Sequence, residues 1–149
     1  MQKCYLALGC FWKPEETFRS IEGVTETEVG YAGGKNKEVN YEEICTGNTG
    51  HAETVKITFD ESFISFEKIL EYFFNMHDST QKDMQYPDVG TQYRSEIFYE
   101  NEEQKKIAEK YKNLFNEKIS GNIETNISKL KNYCRAEEYH QKYIMKRGL

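Results

Sequence analysis

The feature that most constrains this chain is its opening run, KCYLALGC, an apolar stretch closed by Gly9-Cys10 and followed at once by FWKPEE. A short apolar run bounded by glycine, without the polar alternation of a one-sided strand, predicts a central strand buried on both faces. Pro14 suits the first turn of a helix, and Glu15 and Glu16 suit the positive end of a helix dipole, so a helix opens directly after the strand. Cys10 therefore sits at a strand-to-helix junction.

The remaining pattern fills in a sheet and its cover. Gly23, Gly30, Gly33 and Gly34 punctuate a strand around Thr25 to Ala32, and YAGGKNKEVNY reads as a surface loop. From Glu53 the chain alternates: Glu53, Val55, Ile57 and Phe59 share one strand face, with Thr54, Lys56 and Thr58 on the other. Phe66, Ile69, Leu70, Phe73 and Phe74 follow helical spacing behind Ser65 as a cap, and this helix ends near His77-Asp78. A polar loop from Met76 to Thr91 precedes a strand from Arg94 to Tyr99. Asn101 and Gln104 resemble a capping box opening a helix to Lys118. A last strand (Ile123 to Ile127) and a terminal helix (Ala136 to Met145) complete one domain over residues 1–149. Strands separated by helices predict an α+β fold, a two-layer sandwich with a mixed β-sheet and flanking helices.

Composition excludes some function classes. A net charge of -5 argues against nucleic acid or anionic membrane as a partner, because both bind through concentrated basic surface. No run approaches the ~18 apolar residues of a membrane helix, and the first residues lack the ordered regions of a signal peptide, which predicts a cytoplasmic protein. The four cysteines, at 4, 10, 45 and 134, form no zinc-ribbon spacing, so free thiols and no metal site are expected.

Chemistry concentrates on two residues. The dipole and free N–H groups of a helix N-terminus favour a thiolate, which makes Cys10 the best nucleophile candidate; the alternative is a buried structural thiol. Phe11 and Trp12 beside it either wall a pocket for a small apolar group or simply pack. Glu53 is in phase with Val55, Ile57 and Phe59, so its carboxyl should be desolvated, protonated toward neutral pH and able to donate a proton. The alternative is that Glu53, as the first residue of its strand, reaches solvent. His51 invites a Cys-His hydrolase reading, but no oxyanion-hole signature or orienting partner accompanies it. His77 and His140 are isolated.

The stretches GCFW, GVTETEVGYAGG, YEEICTGNTGHAE, HDST, DVGTQYRSEIF and AEEYHQ resemble, in order and spacing, the peptide methionine sulfoxide reductase A family over roughly residues 4 to 143. The resemblance implies reduction of the S epimer of methionine sulfoxide, free or in oxidised proteins, as a repair of oxidative damage. It places Cys10 at the catalytic cysteine, Glu53 at the acid that protonates the sulfoxide oxygen, and Tyr41 and Tyr93 at phenols that hydrogen-bond that oxygen. Phe11 and Trp12 match the rings around the substrate methyl group, and Asp88 matches a polar pocket residue. No bound cofactor is implied; a Cys10 sulfenic acid is instead reduced by an external thiol system, either glutathione with glutaredoxin or thioredoxin.

Lys13 follows GCFW where a small residue is usual, Ser79 replaces the proline of HDP, and Tyr86-Pro87 replaces a frequent Gly-Asn. Many members carry a Gly-rich tail with resolving cysteines after YHQ, and none is present through Leu149. Cys4 shares a strand face with Leu6 and Leu8, Cys45 is expected to be a packed structural thiol, and Cys134 is the candidate internal resolver. An external thiol such as glutathione is favoured over a Cys10–Cys134 disulfide.

Overall fold

A computed structural model describes residues 1–149. The opening apolar run forms β1 (Gln2–Leu8), and it lies in the middle of a six-stranded sheet. Strand β3 (Ala52–Phe59) pairs antiparallel with β1 on one side, and β6 (Ser95–Tyr99) pairs antiparallel with it on the other. Beyond β3 come β2 (Val24–Ala32) and the short β8 (Cys134–Arg135), both antiparallel; beyond β6 lies β7 (Asn126–Lys129), which is parallel. The order β7-β6-β1-β3-β2-β8 is thus a mixed sheet.

The longer helices cover a single face. Leu6, Leu8, Val29, Tyr31, Val55 and Ile57 point into one core with Phe18 of α1 (Trp12–Arg19), Ile69 and Phe73 of α3 (Phe66–Met76), and Ala108 of α4 (Glu102–Ile119). The opposite face carries Tyr5, Ala7, Ala32, Ala52 and Phe98, and only Leu130 and Tyr133 pack over it. This is the two-layer α+β sandwich, with β1 buried on both sides. Ser65 caps α3 by accepting from the Lys68 N–H at 3.1 Å. No helix is long and apolar enough to cross a membrane.

Several elements differ from the sequence expectation. The region from Met76 to Thr91 is not all loop: Met84–Gln85 (β4) and Asp88–Val89 (β5) pair as a small hairpin turning on a cis Tyr86-Pro87 bond. Gln85 pins it by bonding both the N–H and the carbonyl of Asp78. At α4 the Asn101 carboxamide caps the Gln104 N–H, but the Gln104 side chain reaches Glu100 and Lys3 instead of closing a box. The strand expected over 123–127 lies later, at β7, paired with β6, and the short β8 follows it.

The terminal helix is broken into a 3₁₀ turn (Glu138–His140) and α5 (Tyr143–Arg147). Lys142 between them is left-handed at φ 50°. Tertiary partners claim the backbone and side chains that a continuous helix would use. The Gln141 carboxamide bonds both the N–H and the carbonyl of Val29, and the Lys142 N–H donates to Glu15 at 2.7 Å. A further short helix, α2 (Tyr41–Cys45), opens on a capping box between Asn40 and Glu43.

Candidate active site

Strand β1 ends at Leu8, and Gly9 at φ 96° turns the chain into α1 with Cys10 at the corner. Only a residue lacking Cβ adopts this backbone freely, and a Cβ here would also press on Gln85 at 3.0 Å. In the free protein, burial opposes the thiolate that the helix terminus was expected to favour. Burial, then the charge of Glu53, push the Cys10 thiol up to about 12, and the Trp12 N–H only partly opposes them. One N–H at the end of a short helix is a weaker influence than removal of the sulfur from water.

Glu53 enters at the start of β3, opposite Tyr31 of β2, and is 2% exposed. Burial raises its carboxyl to about 8, Asp88 adds to the rise, and the Phe11 N–H, donating to Oε1 at 3.2 Å, opposes it. At neutral pH this side chain is a neutral acid. With Glu53 protonated, its Coulombic pressure on Cys10 is also absent.

A cavity of about 130 Å³ brings Cys10, Phe11, Trp12, Tyr41, Glu53, Asp88 and Tyr93 together with His140. The sequence reading missed His140 as a site residue, although it lies within the YHQ stretch; no periodicity marks it. His140 is 1% exposed, and its Nδ1 accepts from the Trp12 indole N–H at 2.9 Å. The other indole face stacks on Tyr143 with centroids 3.7 Å apart and planes 5° apart. Buried Glu15 holds this backing segment in place, accepting from the Lys142 N–H and from the Thr27 hydroxyl at 2.9 Å.

The phenols come from separate elements. Tyr41 opens α2, and its N–H donates to Glu137 at 2.8 Å; the same carboxylate accepts from the Tyr31 hydroxyl. Contact with Cys45 and then burial raise the Tyr41 hydroxyl, while burial and then Glu53 raise Tyr93 to about 12, so both remain proton donors. Asp88 arrives on the β4–β5 hairpin.

The other cysteines and His51 fall outside the cavity. Cys45 is exposed and not packed as expected, because it ends α2 on the solvent side. Cys134 pairs with Tyr31 across β8 and β2, and Tyr31 pairs with Glu53 across β2 and β3. Cys134 is thus two strand spacings, roughly 10 Å, from Glu53 across the sheet. His51 is buried against Gly34, where an added Cβ would meet Nδ1 at 2.0 Å, and burial lowers its pKa. It is in no position to serve Cys10 as a base.

The arrangement sets a thiol, a buried carboxyl and two phenols around a small aromatic-walled space. The peptide methionine sulfoxide reductase family model matches residues 2–148. The peptide methionine sulfoxide reductase MsrA of Pelagibacter ubique is 58% identical over 147 residues, covering 99% of this chain and 100% of that protein. The reduced-form crystal structure of Mxr1 from Saccharomyces cerevisiae superposes with a TM-score of 0.95 at 34% identity, covering 99% of this chain and 86% of that one. A structure of Mxr1 in complex with Trx2 shares the fold at a TM-score of 0.68 and 24% identity, covering 95% of this chain and 84% of that one. From its sequence and its fold alike, this chain belongs to the peptide methionine sulfoxide reductase A family, oxidoreductases that reduce methionine sulfoxide.

Proposed function

We propose that Cys10 attacks the sulfur of a methionine S-sulfoxide, free or in an oxidised protein, while Glu53 protonates the sulfoxide oxygen. Sulfoxide sulfur is a poor electrophile until its oxygen carries a proton, so the acid must be neutral when substrate binds. The observation that carries this reading is the buried Glu53 carboxyl, raised to about 8, opening on the same cavity as Cys10. Tyr41 and Tyr93 donate to the same oxygen as negative charge develops there. The substrate S–O bond and the new bond from Cys10 to the substrate sulfur both break as the oxygen passes to Cys10, so methionine leaves, Cys10 becomes a sulfenic acid, and the proton released by the Cys10 thiol restores Glu53.

The methyl group rests against Phe11 and Trp12, the oxygen faces Glu53, Tyr41 and Tyr93, and Asp88 lies at the mouth. That division of the cavity into an apolar wall and a donor wall admits one epimer. Incubation of each epimer with dithiothreitol tests it: methionine should appear from the S form alone, and equal consumption of both overturns the arrangement.

An external thiol then regenerates Cys10. A disulfide needs Cα atoms within about 7 Å, and Cys134 lies across two strands from Glu53 in the folded sheet. Its thiol is moreover directed to the Val39 carbonyl at 3.7 Å. Glutathione followed by glutaredoxin is the favoured route, and the Mxr1–Trx2 complex makes thioredoxin the rival donor. Either system places this repair reaction in the reducing cytoplasm.

A further inference from the structure

Cys10 borders two cavities. Besides the aromatic one, it lines a wider cleft of about 360 Å³, with Lys13, Pro14, Met76, His77 and Tyr86 among the walls; beyond Cys10 itself the two share only Asp88. In the reading above the sulfoxide group itself sits in the smaller cavity. We propose that the wider cleft is the binding site for the reducing cosubstrate, a small anionic thiol of the glutathione type, and that Lys13 recognises its carboxylate. This rests on the sulfenic acid reading above and assigns the direction and chemistry of the step that follows it.

The direction follows from displacement at divalent sulfur, in which the incoming thiolate, the attacked sulfur and the departing oxygen are nearly collinear. The oxygen transferred to Cys10 lies on the side of Glu53, Tyr41 and Tyr93. The thiolate must therefore arrive from the side of the sulfur away from those donors, and none of the three lines the wider cleft. Its electron pair forms the new S–S bond, the S–O bond breaks, and the oxygen leaves as water with a proton from Glu53. A second thiol attacks the bound thiol's sulfur in the mixed disulfide, which frees Cys10 and leaves an external disulfide. Two thiols are oxidised to one disulfide as the sulfenic acid is reduced to a thiol and water, so electrons balance.

The chemistry follows from size and charge. The cleft falls in the range of small-ligand sites, about 300–1,000 Å³, and so suits a tripeptide. Its apolar walls, Pro14 and Met76, suit the stem of such a thiol. Exposed Lys13 offers the one lining cation, and Asp88 complements an ammonium group. A γ-glutamyl tripeptide thiol carries both carboxylates and an ammonium.

The test starts with one equivalent of the S-sulfoxide and no reductant, which yields a burst of methionine and a protein heavier by one oxygen. This oxidised protein is then mixed separately with glutathione, neutral 2-mercaptoethanol and reduced thioredoxin. Lys13→Glu should leave the burst and the 2-mercaptoethanol rate unchanged while slowing glutathione about tenfold, a typical scale for reversing a steering charge. The difference should collapse at about 1 M salt, where screening acts over about 3 Å. A normal burst with an unaltered glutathione rate in Lys13→Glu overturns the cleft assignment alone, as does faster reaction with thioredoxin that ignores Lys13. Loss of two hydrogens from the protein instead shows an internal disulfide and also overturns it. Absence of the burst removes the sulfenic acid reading, and the cleft proposal with it.

Discussion

The Phe11 N–H donates to Glu53 Oε1 at 3.2 Å, joining the residue after the Cys10 corner to the first carboxylate of β3. This single bond ties the α1 terminus to the sheet and turns one carboxyl oxygen away from the substrate. The other oxygen is left to hold the proton that the reaction consumes. Burial sets the pH range in which the site is ready, and this bond partly opposes it.

Glu53 carries its proton only below about 8. The single-turnover rate of methionine formation should therefore fall as pH rises through that value. Glu53→Gln should lower this rate about 10²-fold or more, the scale of lost general acid catalysis. A rapid-mix series on the parent and the variant across neutral pH checks both. Matching rates remove the acid role.

The same shift couples stability to pH. Glu53 ionises near 4.5 when unfolded and near 8 when folded. Between those values the folded state keeps a proton that the unfolded state has lost. The stabilisation is fully present below 4.5 and is lost as pH rises through 8, on the order of 5 kcal/mol at most. Thermal melts from about pH 5 to about pH 9 should show Glu53→Gln gaining several degrees on the parent at the alkaline end. Parallel curves for the two proteins would mean that Glu53 is not desolvated.

Cys10→Ser should keep the fold and abolish turnover, because a hydroxyl at this site lacks an equivalent base to activate it. Circular dichroism and an epimer-resolved assay test the two halves. Substantial residual reduction would transfer the nucleophile role elsewhere.

The Glu15 carboxylate bonds Thr27 and Lys142 and does not line the cavity. Glu15→Ala leaves the Lys142 N–H and the Thr27 hydroxyl without an acceptor, at roughly 1–3 kcal/mol of stability. The segment carrying His140 and Tyr143 loosens behind the indole, so KM should rise about tenfold with a smaller change in kcat. Glu15→Gln, which keeps one acceptor oxygen, should recover part of the loss. A fall in kcat alone would place Glu15 outside substrate positioning.

What the sequence by itself determined here is whatever depends on neighbours along the chain. The apolar run closed by Gly9-Cys10 specified a buried central strand and its corner, and the alternation from Glu53 to Phe59 specified which face the carboxylate shares. Ser65 specified where α3 begins, since a cap acts over three residues. The tertiary structure decided the rest through partners distant in the chain. Residues Ala136 to Met145 read as one helix, but the Gln141 side chain bonds Val29 and the Lys142 N–H bonds Glu15, and these contacts break it. That break carries His140 to the Trp12 indole and completes the cavity. Likewise the helix terminus at Cys10 promised a thiolate, while the depth of burial, set only by folding, pushes its thiol up.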